Sequence, residues 1–388
     1  MHKKSILFVY SNMGDGGTQR QKSILSKELK KKYNLTMALF KNEHVHKFDG
    51  QIIDIKAPTT KNVFLFLYYA ARRIYVLRKL FKSNNYDIII SSSLVSNTFS
   101  LLVKCLFRVN IPVIITFNNA NKLKSKDMGL SGRIASFLNR KLSSCADLIV
   151  PVSNGLREEL IKDKYPERKV KTIYNGIPID EIIKLSKEKL DSNHAKILKR
   201  QTFKIIAVGR LSKQKDYFTL LKAIEVLRSK YKVELIILGE GELKAEIISE
   251  IHKRNISENV HLIGWVKNPY KYINKSDVFV LSSLWEGFPN VILEALCCGL
   301  PVVSTDCPTG PSEIIKSGYN GFLVPVGDYI ALANYISELI SNQKKASKIV
   351  INGMKRAQDF SIQEISSQWS KTIEKVISSK LNIFFTIS

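Results

Sequence analysis

Along the chain, short and mostly apolar runs alternate with longer stretches whose apolar positions recur at helical spacing. Ile6–Tyr10, Leu35–Phe40, Asp87–Ser91, Val113–Phe117 and Leu148–Val152 are such runs, each ended by polar residues or glycine. Unbroken apolar runs of this length fit strands buried on both faces of a parallel sheet. Between them, Gln19–Lys31, Leu65–Phe81 and Gly132–Leu142 read as helices. The alternation pauses at Tyr174-Asn175-Gly176-Ile177-Pro178 and through a polar, lysine-rich stretch, Lys184–Arg200. It restarts with Phe203–Val208, Val233–Leu238, Val260–Ile263, Val278–Leu281, Val302–Ser304 and Phe322–Val324 as strands. Strands alternating with helices call for doubly wound α/β sheets. The pattern therefore predicts two Rossmann-like domains in tandem, with ligand sites at the carboxyl ends of their strands. Beyond Phe360 a helical segment containing Trp369 leads into a weak apolar tail, Ile383–Ile387.

Length agrees, since 388 residues are too many for one compact core. The longest apolar candidates, such as Val63–Ala71, fall well short of the roughly 18 residues that span a bilayer. Lys3 and Lys4 before Ser5–Tyr10 resemble the start of a signal peptide. The apolar stretch is too short for one and no small-residue cleavage site follows, so it reads as a first strand. A cytoplasmic protein is expected. Five cysteines (Cys105, Cys145, Cys297, Cys298 and Cys307) form an odd set without C-x-x-C spacing. They read as buried free thiols rather than a disulfide framework or zinc site.

Charge changes the picture more. The formal net charge is +26, and residues 1–180 carry most of the excess, with 31 Lys/Arg against 13 Asp/Glu. An anionic membrane surface or nucleic acid accounts for such a balance. Codon bias is the bland alternative, because 46 of the 60 basic residues are lysine. Phe64–Lys82 interleaves Phe64, Phe66, Tyr68, Tyr69, Tyr75 and Phe81 with Arg72, Arg73, Arg78 and Lys79. On a helix this is amphipathic and basic, as for a segment lying on an anionic membrane, although a core helix with a solvated basic face reads the same way. The partner expected is thus a membrane surface on the inner face of the cell membrane, not nucleic acid.

The densest chemistry lies in Glu286-Gly287-Phe288-Pro289-Asn290-Val291-Ile292-Leu293-Glu294. Strand Val278–Leu281 and a Ser282-Ser283 loop place Glu286 at a carboxyl end. Pro289 suits the first turn of a helix, and Gly299 with Pro301 stops it. Free N–H groups at that helix start suit a diphosphate. Glu286 precedes the helix and Glu294 lies more than a turn inside it, so the two carboxylates can hold different parts of one ligand.

This segment resembles the E-x7-E motif of the retaining GT-B glycosyltransferases of group 1, and the resemblance extends over essentially the whole chain. Gly209-Arg210-Leu211 with Lys215 is similar to that family's phosphate-gripping segment, and Leu238-Gly239-Glu240-Gly241-Glu242-Leu243 to its second glycine turn. Gly264-Trp265-Val266 resembles the loop whose backbone meets the nucleobase, and Tyr174-Asn175-Gly176-Ile177 the interdomain junction. Thr305-Asp306-Cys307-Pro308-Thr309-Gly310-Pro311-Ser312-Glu313 resembles the stretch past the motif helix.

The resemblance implies a GT-B fold, two Rossmann-like domains facing an interdomain cleft. Residues 1–178 would bind the acceptor, joined by a returning helix, 361–388, and residues 179–360 would bind the nucleotide sugar. It implies transfer of a sugar, with retention, from a nucleotide diphosphate sugar such as a UDP-sugar to a glycan or lipid-linked acceptor. Glu286 would hold the sugar, Glu294 the ribose, and Arg210 with Lys215 the diphosphate. Gly16, Gly17, Asn118, Gly209, Val266, Gly287, Phe288, Pro289 and Asn290 would complete the substrate site. Many relatives place a histidine after the strand equivalent to Val113–Phe117, where this chain has Asn118 and Asn119. Asparagine is no base at neutral pH, which leaves the acceptor-side role unassigned. No D-x-D sequence occurs, so no cofactor or metal is expected, and a paired Arg and Lys would neutralise the leaving diphosphate. Two rivals remain: a nucleotide-sugar epimerase of the same architecture, and a non-catalytic membrane-surface protein.

Overall fold

The structure is a computed structural model that describes residues 3–385 except 15, 44, 61, 120–129 and 191. The chain divides into two units, residues 1–176 with 362–388, and residues 177–361. The first holds β1 (Ser5–Tyr10), β2 (Asn34–Leu39), β3 (Gln51–Asp54), β4 (Ile88–Ser92), β5 (Val113–Phe117) and β6 (Leu148–Pro151). The second holds β7 (Phe203–Val208), β8 (Val233–Leu238), β9 (Val260–Gly264), β10 (Val278–Leu281), β11 (Val302–Thr305) and β12 (Phe322–Val324).

Every strand pairing is parallel. The orders β3-β2-β1-β4-β5-β6 and β12-β11-β10-β7-β8-β9 are the same Rossmann winding used twice. The expected α/β class is therefore realised in both halves. Strand order reverses between β1 and β4 in one sheet and between β7 and β10 in the other, and the crevice of such a sheet opens there, beyond the carboxyl ends.

Burial explains why most strands are continuous apolar runs: β4, β5, β8, β10 and β11 are buried throughout. β3 is the exception, an edge strand with two exposed and two half-buried residues. The lysine-rich pause is not structureless, since it carries parts of helices Ile179–Ser186 and Ser192–Leu198.

The helix Ile362–Phe385 completes the core of the first unit. Ile362, Ile365, Trp369, Ile373 and Ile377 pack with Leu25, Leu29 and the sheet residues Ile6, Phe8 and Ile90. Lys4 pairs with Glu374, and Tyr33 Oη donates to Glu374 at 3.0 Å. The apolar tail read at Ile383–Ile387 begins within this helix; residues 386–388 lie outside the described residues.

Cys105 and Cys145 form a disulfide, with Cα atoms 6.3 Å apart. This corrects the reading of all five cysteines as free thiols. The short 3-10 turn Ser143–Cys145 packs on helix Leu94–Leu106, bringing together residues 40 positions apart. Cys297, Cys298 and Cys307 are free.

Candidate active site

Two carboxyl-end loops of the second sheet meet beside its switch point. After β7 the chain turns through Gly209-Arg210-Leu211, passes the 3-10 turn Lys213–Lys215 and enters helix Tyr217–Arg228. After β10 it runs through Ser282–Pro289 into helix Asn290–Cys297. Leu284 N donates to Gln214 O at 2.8 Å, and Ser282 Oγ donates to Lys215 O at 2.7 Å. Gln214 Nε2 donates to Trp285 O at 2.8 Å.

Clamped this way, Lys215 Nζ lies 2.6 Å from Glu286 Oε1. The pair is largely dry, with side-chain exposures of 16% and 9%. Ser283 Oγ donates to the same carboxylate oxygen at 2.7 Å, Gln214 Nε2 approaches Oε2 at 3.4 Å, and Thr309 Oγ1 donates to Glu286 O. Glu286 is thus fixed at both its side chain and its backbone. Its charge reaches neighbouring groups. Burial pushes the Cys307 thiol up to about 12, with Glu286 adding to the shift and Lys215 opposing it. Tyr217 is pushed up by burial and then by Glu286.

Gly209 makes room for this arrangement, because a Cβ there would lie 2.9 Å from Lys215 Cε. Gly239, at φ +144°, admits a still closer approach, since its Cβ would fall 2.0 Å from Gly209 O. Backbone bonds tie the edge together: Gly209 N to Leu238 O (3.0 Å), Leu211 N to Glu240 O (2.9 Å) and Gly239 N to Gly264 O (2.8 Å).

Arg210 is exposed, and its guanidinium has no hydrogen bond or ion pair among the described residues. Its charge is unpaired among the described residues, whereas Lys215 is paired with Glu286. Gly287, Phe288 and Pro289 are buried, with Phe288 5.4 Å from the Phe360 ring. Pro289 is the N-cap, one residue before the first helical position the sequence suggested. Asn290 opens the helix with its buried Oδ1 unpaired. Glu294 is 5% exposed, and its charge helps raise Cys297 to about 12, after burial. Val266 is half-buried in the loop after β9, beside an exposed Trp265. Among the described residues no group of three or more His, Cys, Asp or Glu is placed to hold a metal.

The remaining expected residues belong to the first unit. Gly16 and Gly17 start helix Gly17–Leu29 after β1, and a Cβ on Gly17 would meet nothing within 4 Å. Asn118 follows β5 and donates through Nδ2 to Ser92 Oγ at 3.0 Å. Sequence reasoning passed over Ser283, Gln214 and Thr309 as supports of Glu286. Ser283 and Thr309 fall inside segments singled out for other reasons, and Gln214 carries no sequence signal.

Two family models match the chain, "Glycosyltransferase Family 4" over residues 16–181 and "Glycosyl transferases group 1" over residues 190–356. An uncharacterized glycosyltransferase of Methanocaldococcus jannaschii is 32% identical over 365 residues, 85% of this chain and 89% of that protein. The N-acetylgalactosamine-N,N'-diacetylbacillosaminyl-diphospho-undecaprenol 4-alpha-N-acetylgalactosaminyltransferase of Campylobacter jejuni is 28% identical, covering 91% and 94%. The solved structure of Anabaena Alr3699/HepE in complex with UDP-glucose superposes with a TM-score of 0.77 at 21% identity, covering 96% and 99%. That likeness is one of fold.

Proposed function

The chain belongs to the group 1 glycosyltransferases of GT-B fold, and on that premise we propose that it moves a sugar from a UDP-sugar to a lipid-linked glycan, with retention and without a metal. The observation that carries the residue assignment is the largely dry Lys215–Glu286 pair, whose lysine shares the loop after β7 with Arg210, a guanidinium unpaired among the described residues. Breaking the anomeric C–O bond leaves negative charge on the diphosphate and oxocarbenium character on the sugar. Arg210 presents a fork of donors to the diphosphate, and Lys215 adds a point charge held in place by Glu286. Glu286 in turn orients the sugar, Glu294 the ribose, and the start of helix Asn290–Cys297 the phosphate oxygens. Because the cations come from the chain itself, no metal is needed to neutralise the leaving group. The lipid-linked acceptor is supported by the undecaprenol-linked substrate in the Campylobacter jejuni relative's name. It would bind the first unit, near Gly16, Gly17 and Asn118.

We further propose that the protein works at the cytoplasmic face of the membrane. Helix Leu94–Leu106 packs against helices Val63–Phe81 and Leu130–Leu142. None of the three contains an Asp or Glu. Phe64, Leu65, Leu67, Tyr68, Tyr75, Leu106, Ile134 and Phe137 are exposed on them, and so are Arg78, Lys79, Arg133, Arg140 and Lys141. Exposed aromatics with basic and no acidic partners suit an anionic lipid surface. One correction applies to the amphipathic reading, because Arg73 is buried. Its guanidinium donates to Ala57 O and Pro58 O and lies over the rings of Phe40 and Phe99. No helix among the described residues is long and apolar enough to cross a membrane.

The test is turnover of a panel of nucleotide sugars in EDTA with a polyprenyl-diphosphate glycan acceptor. Arg210→Ala is expected to lower kcat by about 10² to 10³ and Arg210→Lys to recover part of it. Equal turnover by wild type and Arg210→Ala, or a strict requirement for manganese, overturns the assignment.

A further inference from the structure

In the first unit a cavity of about 20 Å³ lies at the carboxyl end of β5 and β6, with Lys22, Thr116, Asn175 and Trp369 in its lining. Lys22 projects from helix Gly17–Leu29 and is only 7% exposed. It has no hydrogen bond or ion pair among the described residues. Its neighbours are aromatic faces, with the Tyr10 centroid at 5.7 Å and that of Trp369 at 5.8 Å. The Thr116 hydroxyl, on a residue 1% exposed, is also unpaired, as is the Tyr10 hydroxyl.

A buried ammonium without a counter-charge is strongly unfavourable, and aromatic faces offset only part of that. Burial lowers Lys22 to about 8, so at neutral pH the charge is still present. Lys22 and Thr116, whose ammonium and hydroxyl have no hydrogen-bond partner among the described residues, therefore line one cavity. The space admits about one atom of water size or slightly larger, too little for a phosphate or a sugar. We propose that this cavity is a binding site for one small monovalent anion of halide size, held by the Lys22 ammonium and the Thr116 hydroxyl. The bound anion neutralises Lys22 where helix Gly17–Leu29 meets Trp369 of the C-terminal helix. The proposal uses none of the residues of the Lys215–Glu286 cluster, and its fate does not depend on the donor assignment.

The experiment compares thermal unfolding of the full chain in sodium bromide and sodium gluconate at equal ionic strength, since gluconate is too large to enter. Wild type is expected to gain about 3 °C in Tm for each tenfold rise in bromide above its dissociation constant. Lys22→Met, which keeps the stem and removes the charge, should lose the bromide-specific gain. Thr116→Val, which keeps the shape, should weaken bromide binding about three- to tenfold, and it decides the matter if Lys22→Met fails to fold. Anomalous diffraction from bromide-soaked crystals should place one ion beside Lys22 Nζ. A water there instead, no bromide-specific gain in wild type, or an undiminished gain in either variant overturns the proposal.

Discussion

Removing Lys215 while leaving Glu286 in place probes the site at its most constrained point. Glu286 is 8% exposed, and its carboxylate is paired with an ammonium 2.6 Å away. Ser283 and Gln214 supply further donors, but neither carries charge. In Lys215→Ala the carboxylate keeps its hydrogen bonds from Ser283 and Gln214 but loses its counter-charge and the hydrogen bond from Lys215. Breaking a buried pair by deleting one partner typically costs about 3–5 kcal/mol. Because Ser283 and Gln214 remain, the lower end, about 3 kcal/mol, is expected here. For a unit of this size that corresponds to a fall of roughly 6–12 °C in Tm. Glu286→Gln alone strands Lys215 instead and should cost less, since that ammonium is the more exposed partner and the amide oxygen can still accept its hydrogen bond. The double variant Lys215→Ala/Glu286→Gln should be more stable than Lys215→Ala, because the stranded charge is gone. Urea unfolding of all four proteins, read as a double-mutant cycle, measures the coupling directly. If Lys215→Ala is as stable as wild type, or the second substitution restores nothing, the pair is solvated in solution and the reasoning fails.

Two more outcomes follow from residues in the first unit. Lys22, at about 8 when folded and 10.5 as its ordinary value, binds its proton more weakly in the folded chain. Its penalty, about 3 kcal/mol, is fully present below pH 8 and is relieved as pH rises from 8 to 10.5. Stability in gluconate buffer should therefore rise across that window in wild type relative to Lys22→Met; a flat difference refutes it. The acid-free helical face should bind anionic vesicles at low salt, with each basic residue near the surface contributing about 1 kcal/mol. Co-sedimentation should fall in Phe64→Glu/Tyr75→Glu and in 0.5 M salt, and equal binding to neutral vesicles would leave codon bias as the account of the charge.

Most of the fold was legible because parallel strands covered on both faces write themselves as apolar runs. Val113–Phe117, Phe203–Val208, Val233–Leu238, Val278–Leu281 and Phe322–Val324 run between the same residues in sequence and structure. β3 was not legible, because an edge strand of sequence Gln-Ile-Ile-Asp needs little apolar surface. The disulfide joins residues whose spacing carries no signal, and Arg73 reads as a surface base until its carbonyl partners, 15 and 16 positions away, are in place. At the site, Glu286 stood out at the end of a strand within the E-x7-E segment, and Lys215 through the resemblance to the family's phosphate-gripping segment. Their pairing did not, because it depends on how loops 71 residues apart come together. Nor did sequence indicate that Arg210 would be left as the unpaired cation.

The C-terminal helix also bears on the order in which the chain can fold during synthesis. The second unit is one uninterrupted segment, residues 177–361, whereas the first is closed only by residues 362–388. Ile365, Trp369, Ile373 and Ile377 supply a wall of the first core, yet they are made more than half the chain after the strands they cover. At about 5–20 residues per second the interval is roughly 10–70 s. The amino-terminal unit, translated first, is therefore the one that finishes last, and its uncovered apolar surface must be sheltered until the final helix leaves the ribosome.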